Sequence, residues 1–213
     1  MCIRDRFTIG AEVGVQNALH AQELLGKWHN VQHFYLIDLW GFQENYEDIA
    51  NRPPNEQDQI YANAQTNLMP WTQQNKTTFL RMLSTQAAQK IPDQSLDFVY
   101  IDARHDYCGA KEDMEAYYPK LRPGGIMAGH DFLSVQEQKG LDHNQDWSKC
   151  MDGSSNPGAV KGAVEHFCVK NGLSFSVMYA EGAIWASWML QKPTRVECVQ
   201  EMGGYGSDIV GYE

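Results

Sequence analysis

The sequence of 213 residues lacks the features that mark several common classes of protein. It has no run of about 18 apolar residues, so we expect no transmembrane helix and no membrane partner. Lys and Arg number 17 against 27 Asp and Glu, a formal net charge of −10, which argues against a nucleic-acid-binding groove. The five cysteines are scattered without a Cys-x-x-Cys pair, and no secretory segment opens the chain. We therefore expect reduced cysteines, no zinc site and a cytoplasmic protein.

What is present is typical of one globular domain, with 43% hydrophobic and 21% charged residues. We place this domain at residues 7–192, followed by a Gly- and Tyr-rich tail at 193–213. Residues 1–6, MCIRDR, resemble the translated transposon end that is used in preparing DNA sequencing libraries, and we interpret them as a non-native scar. The chain would then be truncated before its first strand; the alternative is an unusual natural N-terminus.

Strand-like and helix-like segments alternate, which predicts a parallel sheet with helices on its faces. Strands are expected at residues 7–15, 33–39, 77–83, 96–101 and 125–128, and helices at 17–28, 56–68, 85–90 and 159–171. Two more strand-like segments, 173–179 and 183–190, are joined by a link so short that it can connect only antiparallel strands. The polar residues 134–158 are interpreted as a loop or lid over the sheet edge, with disorder as the alternative.

Acids and histidines follow two of the predicted strands. Asp102 ends the apolar run 96–101, and His130 and Asp131 end the next one. Ligands of open parallel sheets bind beyond the carboxyl ends of the strands. The spacing therefore predicts a site at this edge of the sheet.

The turn after the first strand limits which cofactor could bind there. Gly14 permits a tight turn into a helix whose N-terminus attracts anions. A dinucleotide site needs a second and a third glycine, where this chain has Gln16 and Leu19. Asp38 ends the second strand 24 positions beyond Gly14, where a ribose-binding acid is expected about 20 residues on. A nucleoside cofactor other than a dinucleotide is favoured, although a lone glycine turn and a solvated acid would leave the same pattern.

Four motifs in order, AEVGV, YLIDLWG, FVYIDARHDY and LRPGGIMAGHDF, resemble the class I S-adenosylmethionine-dependent methyltransferases. They are most similar to a branch that acts on small molecules at oxygen. The resemblance covers about residues 8–190. It implies an α/β, Rossmann-like, doubly wound sheet of seven strands, mostly parallel, with one antiparallel strand near the C-terminal end. It also implies a small-molecule acceptor, with a hydroxyl oxygen as the expected methylation target.

The resemblance implies roles for five cofactor-binding residues. Glu12 and Gly14 would lie by the methionine part of S-adenosylmethionine, and Asp38 would bind the ribose hydroxyls. Ser84, after the third strand, would lie by the adenine, and Asp102 by the amino group of the cofactor. The chain departs from the family pattern at Gln16, where many members have glycine.

Metal assistance and proton removal are the remaining predictions. Relatives hold a divalent cation with aspartates at two strand ends, which here correspond to Asp102, His130 and Asp131. Mg²⁺ prefers oxygen ligands, whereas a His/Asp set suits Mn²⁺, Fe²⁺ or Zn²⁺. His105 is the first candidate for a general base and His130 the second, since imidazole can accept a proton near neutral pH. Asp102 is the third predicted catalytic residue. Alternatively, it contacts only the amino group of the cofactor.

Other side chains are expected to take no part. Arg104 is predicted at the surface, with the binding of an anionic substrate group as the alternative, and Glu112, Asp113 and Glu115 are predicted on the solvated face of a helix. Trp40 could pack on the cofactor or in the core. Two other functions stay open: an NAD(P)-dependent oxidoreductase on a Rossmann-type sheet, and a non-catalytic nucleotide-binding module.

Overall fold

A computed structural model describes residues 6–179 and 185–194. Most of the predicted scar and tail and the link between the last two strands lie outside these residues. The helices and strands are, in chain order, β1 (Ile9–Val13), α1 (Leu19–Lys27), β2 (His33–Asp38), α2 (Pro54–Asn67), α3 (Met69–Thr72), β3 (Thr77–Arg81), α4 (Ser84–Ala88), β4 (Leu96–Ile101), α5 (Tyr107–Tyr117), β5 (Leu121–Gly129), α6 (Val135–Leu141), α7 (Ala159–Asn171), β6 (Phe175–Met178) and β7 (Ser187–Gln191).

The strands form one sheet in the order β3-β2-β1-β4-β5-β7-β6. The pairs β2–β3, β1–β2, β1–β4 and β4–β5 are parallel, whereas β7 is antiparallel to both β5 and β6. The predicted seven-stranded, mostly parallel sheet with one reversed strand is confirmed. The strand order changes direction at β1 and β4, so their carboxyl ends open a crevice.

Alternate residues of the strands pack into a core on each face of the sheet. On β4, Val99 and Ile101 join the core under α4, α5 and α7, while Phe98 joins the core under α1 and α2. Because both faces are covered, the strands read as nearly continuous apolar runs. This double layer is the physical basis of the predicted doubly wound fold.

Two elements differ from the predictions. β5 is longer than the predicted residues 125–128: it starts at Leu121 and contains an irregularity between Leu121 and Ile126. Proline is tolerated in a sheet at such irregular positions. Helix α6 lies in the segment predicted as loop or lid; Ser134 and Glu137 form a capping box that starts it. We call residues 134–158 the lid segment.

The cysteines also differ from the expectation of reduced, unpaired thiols. Cys108, at the start of α5, forms a disulfide with Cys150 of the lid segment. Cys168 is free and buried in the core. The pairing could not be read from the sequence, because the partners are 42 positions apart and connect a helix to an irregular segment.

No helix among the described residues is long and apolar enough to span a membrane.

Candidate functional site

A cavity of about 710 Å³ opens at the carboxyl ends of β1, β2, β4 and β5. All of the predicted site residues contribute to its wall: Glu12, Gly14, Asp38, Ser84, Asp102, His105, His130 and Asp131. The topology thus brings together side chains that are up to 119 positions apart in the sequence.

Gly14 is required by the approach of the neighbouring strand. Its φ is +87°, and its N–H donates to the carbonyl of Ile37 at 2.8 Å. A Cβ at this position would lie 1.8 Å from the backbone oxygen of Asp102. Only glycine can therefore connect β1 to the next helix here.

Asp38 organises the same turn from the end of β2. Its Oδ2 accepts hydrogen bonds from the backbone N–H groups of Val15 and Gln16, both at 2.9 Å. Its Oδ1 accepts from the N–H of Trp40 at 2.8 Å. The carboxylate thus lies at the cavity wall in a fixed orientation, with one of its four lone-pair directions left for a ligand.

Glu12 provides a buried carboxylate at the base of the cavity. The residue is 2% exposed, and its Oε2 has no well-directed hydrogen bond among the described residues. His20 Nδ1 lies 3.3 Å away, and the His20 ring stacks on Tyr100. Burial raises the pKa of Glu12, and the nearby His20 opposes this increase. A buried carboxylate of this kind fits the cationic amino or sulfonium group of S-adenosylmethionine.

Ser84 begins α4, and its backbone carbonyl accepts a hydrogen bond from the hydroxyl of Tyr117 at 2.9 Å. Trp40 lies away from the cavity wall: it is 1% exposed and packs against Tyr61 and Phe79. Its indole N–H donates to the carbonyl of Gln16. Trp40 therefore supports the glycine turn from the core, and the interpretation that it packs on the cofactor has no support here.

His105 lies at the centre of the acidic side of the cavity. Its Nε2 is 3.1 Å from Asp131 Oδ2 and 3.5 Å from Asp102 Oδ1. On the other side of the ring, Nδ1 is 2.8 Å from Asp48 Oδ2. Three carboxylates thus surround one imidazole. Asp102 and Asp131 follow β4 and β5, and Asp48 lies in residues 39–53, which we call the β2–α2 segment.

The pKa of His105 is raised well above its usual value. Burial acts to lower this pKa, but contacts with Asp102 and Asp48 and the negative charge of Asp131 outweigh burial. The raised pKa favours the protonated ring, and an imidazolium can donate a proton but not accept one. The predicted general-base role requires that His105 first lose this proton.

His130 lies outside this cluster. Its Nδ1 is 2.8 Å from Asp131 Oδ1, and this contact raises its pKa against the opposing effect of burial. The side chain is 34% exposed. His130 thus contacts Asp131, whereas His105 lies near both Asp102 and Asp131.

The cluster of Asp102, His105 and Asp131 fits a divalent cation. Its three donor atoms all lie within 4.8 Å of one another. His105 Nε2 is buried and, within the described part of the chain, has no well-directed hydrogen bond, so this nitrogen would be available to a cation once it has lost its proton. A donor set of one nitrogen and two carboxylates suits Mn²⁺, Fe²⁺ or Zn²⁺ better than Mg²⁺.

Two predictions about neighbouring residues are wrong. Arg104 is 8% exposed rather than superficial: its Nε donates to Asp106 at 2.6 Å, and its guanidinium lies over the ring of Tyr46. Asp113 is 3% exposed, and burial raises its pKa to about 7. Both residues line the cavity. Asp113 was misplaced because α5 packs against both α4 and α7, which leaves little of the helix surface solvated. Arg104 was misplaced because its guanidinium contacts the irregular segments around Asn45 and Lys149, which the sequence pattern does not reveal.

Sequence reasoning also missed Asp48, Tyr46 and Trp147. All three contact His105: Tyr46 by its hydroxyl at 3.4 Å from Nδ1, and Trp147 by its ring, with centroids 4.5 Å apart. They come from the irregular β2–α2 and lid segments, where no periodic pattern marks a buried side chain. No signal in the single sequence could have singled them out.

The comparison with protein families decides the class. The family model described as "Methyltransferase domain" matches residues 8–132, more than half of the chain. The chain belongs to this methyltransferase family. The predicted S-adenosylmethionine-dependent class is confirmed by this match.

Solved structures share the fold of this methyltransferase. An O-methyltransferase family protein from Burkholderia thailandensis is 10% identical with a TM-score of 0.61, over 91% of this chain and 53% of that chain. An O-methyltransferase from Bacillus cereus, in complex with SAH, is 15% identical with a TM-score of 0.55, over 87% and 74% of the two chains. At such identities the likeness shows the fold alone.

One curated relative matches over a short segment. The uncharacterized protein y4gI of Sinorhizobium fredii is 40% identical over 52 residues, which are 24% of the methyltransferase chain and 6% of that protein. The methyltransferase thus corresponds to a small part of this relative's length.

Proposed function

We propose that the methyltransferase transfers the methyl group of S-adenosylmethionine to a hydroxyl oxygen of a small-molecule acceptor, with assistance from a divalent cation. One observation carries the proposal: Asp38, Glu12 and the cluster of Asp102, His105 and Asp131 share a single cavity at the strand ends. A cofactor site and a site for proton removal are therefore adjacent, as methyl transfer by in-line displacement requires.

The residues on the β1–β2 side would bind the cofactor. Asp38 would accept a hydrogen bond from a ribose hydroxyl through its remaining lone pair, and Glu12 would face the cationic part of the molecule. The sulfonium of S-adenosylmethionine supplies an electrophilic methyl group. The chain's own contribution is to hold that group in line with the acceptor oxygen.

The residues on the β4–β5 side would bind the acceptor. A divalent cation held by Asp102, His105 and Asp131 would lower the pKa of an acceptor hydroxyl. The positive charge would also offset the carboxylates that raise the pKa of His105. His105 would then be a ligand through Nε2, and the hydroxyl proton would leave to solvent, because a coordinated nitrogen cannot also accept it.

Calorimetric titration with S-adenosylmethionine, with and without Mn²⁺, tests the cofactor assignment. Asp38→Asn should weaken binding about 10–100-fold, the usual worth of hydrogen bonds to a charged group. Asp93→Asn is the matched control, because Asp93 is an exposed acid paired with Lys120 away from the cavity. A thermal melt checks that Asp38→Asn is folded, since Asp38 also holds backbone N–H groups.

Equal affinity of Asp38→Asn and the unmodified chain would refute the ribose contact. Binding of a nicotinamide cofactor in place of S-adenosylmethionine would favour the oxidoreductase alternative. Binding of S-adenosylmethionine without transfer to any phenol, sugar or hydroxy acid of an acceptor panel would favour the non-catalytic binding module.

A further inference from the structure

Asp48 is a buried acid that connects three separate parts of the chain. Its side chain is 1% exposed and lies in the β2–α2 segment. It accepts a hydrogen bond from the N–H of Ala50 at 2.7 Å, which is a local turn contact. The other two donors are His105 and Trp147, 57 and 99 positions away in the sequence. Burying a carboxylate costs free energy unless it is hydrogen-bonded, and these two distant donors offset that cost.

A single oxygen of Asp48 serves both distant partners. Oδ2 lies 2.8 Å from His105 Nδ1 and 2.9 Å from the indole Nε1 of Trp147. Trp147 belongs to the lid segment, is 2% exposed, and packs against Trp185 as well as on the His105 ring. If the lid segment moves, the carboxylate that orients His105 loses one of its two distant partners.

The orientation of the His105 ring depends mainly on this carboxylate. The hydroxyl of Tyr46 lies farther from Nδ1, at 3.4 Å, and Nε2 has no well-directed hydrogen bond among the residues that the structure describes. The hydrogen bond at one imidazole nitrogen fixes where the other nitrogen points. Here the bond at Nδ1 directs Nε2 to the position shared by Asp102 and Asp131.

From these contacts we propose that Asp48 is a positioning residue: it fixes the His105 ring towards Asp102 and Asp131, and through Trp147 it makes that orientation depend on the lid segment. The inference rests on the proposed function, because it gives the lid segment a part in assembling the acceptor side of the cavity. Asp48 itself touches no reacting atom in this mechanism.

The ring orientation can be measured without any acceptor, by NMR of the full chain labelled at histidine and tryptophan. In the unmodified chain, a nuclear Overhauser effect between the His105 and Trp147 rings and a slowly exchanging Nδ1 proton are expected. Asp48→Ala and Asp48→Asn should lose or shift both signals. Trp147→Phe, which removes the indole N–H and keeps an aromatic ring, should weaken the Nδ1 signal without abolishing it.

Glu47→Gln is the matched control. Glu47 joins the same two segments through Lys149, at 2.5 Å, but does not contact His105. It should leave both NMR signals unchanged. With the best acceptor of the panel, kcat of Asp48→Asn should fall about 10–100-fold, the usual effect of removing an orienting partner, while the KM for S-adenosylmethionine stays unchanged. Glu47→Gln should keep full kcat.

Two results would overturn the inference. One is an unchanged His105 environment in Asp48→Asn; the other is an equal loss in Glu47→Gln, which would show that any link between the two segments suffices. Because the NMR signals need no methyl transfer, altered signals together with an inactive unmodified chain would refute the proposed function and leave the positioning role standing.

Discussion

Asp113 shows how a charged residue in a helix can belong to the core. The buried residues of α5 are Ala110, Asp113, Met114 and Tyr117. Their spacing of three and four positions is one face of a helix, and Asp113 lies on that face. The sequence interpretation placed Asp113 with its exposed neighbour Glu112 because of its charge. The helical spacing, had it been given more weight than the charge, would have predicted burial.

The raised pKa of Asp113 predicts a stability that falls with pH. The pKa is about 7 in the folded chain against a usual 3.8. Between these values the folded state binds more protons than the unfolded state, so the free energy of unfolding decreases as pH rises from about 4 to about 7. Asp113→Asn removes this loss, which amounts to at most about 4 kcal/mol.

Urea unfolding of Asp113→Asn at pH 5 and pH 8 measures this effect. The variant should gain stability relative to the unmodified chain at the higher pH. Glu112→Gln, at the exposed neighbouring position, should show the pH profile of the unmodified chain. Parallel profiles for Asp113→Asn and the unmodified chain would mean that Asp113 titrates normally.

At the scale of elements, the regular strands were predictable and the irregular segments were not. β1 to β4 lie within or at the predicted bounds, because apolar runs bounded by turns are a strong local signal. Helix α6 was missed since its short sequence has no long apolar stripe, only a capping box. The contacts of Asp48 and Trp147 depend on how two irregular segments pack, which is tertiary information.

The disulfide between Cys108 and Cys150 fixes the lid segment to α5, and its removal should destabilise the protein. A disulfide across 42 positions lowers the conformational entropy of the unfolded chain. By the chain-entropy relation, this stabilises the folded protein by about 4 kcal/mol. Calorimetry with and without a dithiol reductant should therefore show a lower Tm after reduction, by about 2–4 °C per kcal/mol at this size.

The double variant Cys108→Ser/Cys150→Ser provides the control for this measurement. It should melt at the temperature of the reduced chain and should not respond to the reductant. An unchanged Tm on reduction of the unmodified chain, with the thiols shown by titration to have been freed, would contradict the expected stabilisation.

At the scale of the whole molecule, binding of the cofactor should raise the melting temperature of the protein. The cavity is formed by residues from β1 to the lid segment, so unfolding destroys the site. A ligand that binds only the folded state at 100 times its Kd adds about 2.7 kcal/mol. For a chain of this size that corresponds to a rise in Tm of about 5–10 °C.

Differential scanning fluorimetry with S-adenosylmethionine measures this rise. Asp38→Asn should show a much smaller shift at the same concentration, whereas Asp93→Asn should match the unmodified chain. A shift that is equal in all three proteins would indicate binding elsewhere than at Asp38.

The candidate site as a whole was predictable to the extent that it follows from topology. Strand-end residues such as Asp102 and Asp131 could be placed together because parallel strands bring their carboxyl ends to one edge. The sequence could not show that His105, rather than His130, lies beside both Asp102 and Asp131. That arrangement depends on the direction of each side chain after its strand end, and not on position along the chain.

The close approach of Gly14 to the backbone of Asp102 bears on how this position should be read across relatives. Any Cβ at position 14 would collide with the backbone of Asp102, which follows the neighbouring strand β4. A chain with this fold must therefore keep glycine there whether or not it binds a cofactor. Conservation of glycine at position 14 would therefore reflect the geometry of the sheet and not cofactor binding. Evolutionary evidence for or against catalysis should instead be sought at His105, whose ring contacts the side chains of Asp48, Asp102 and Asp131.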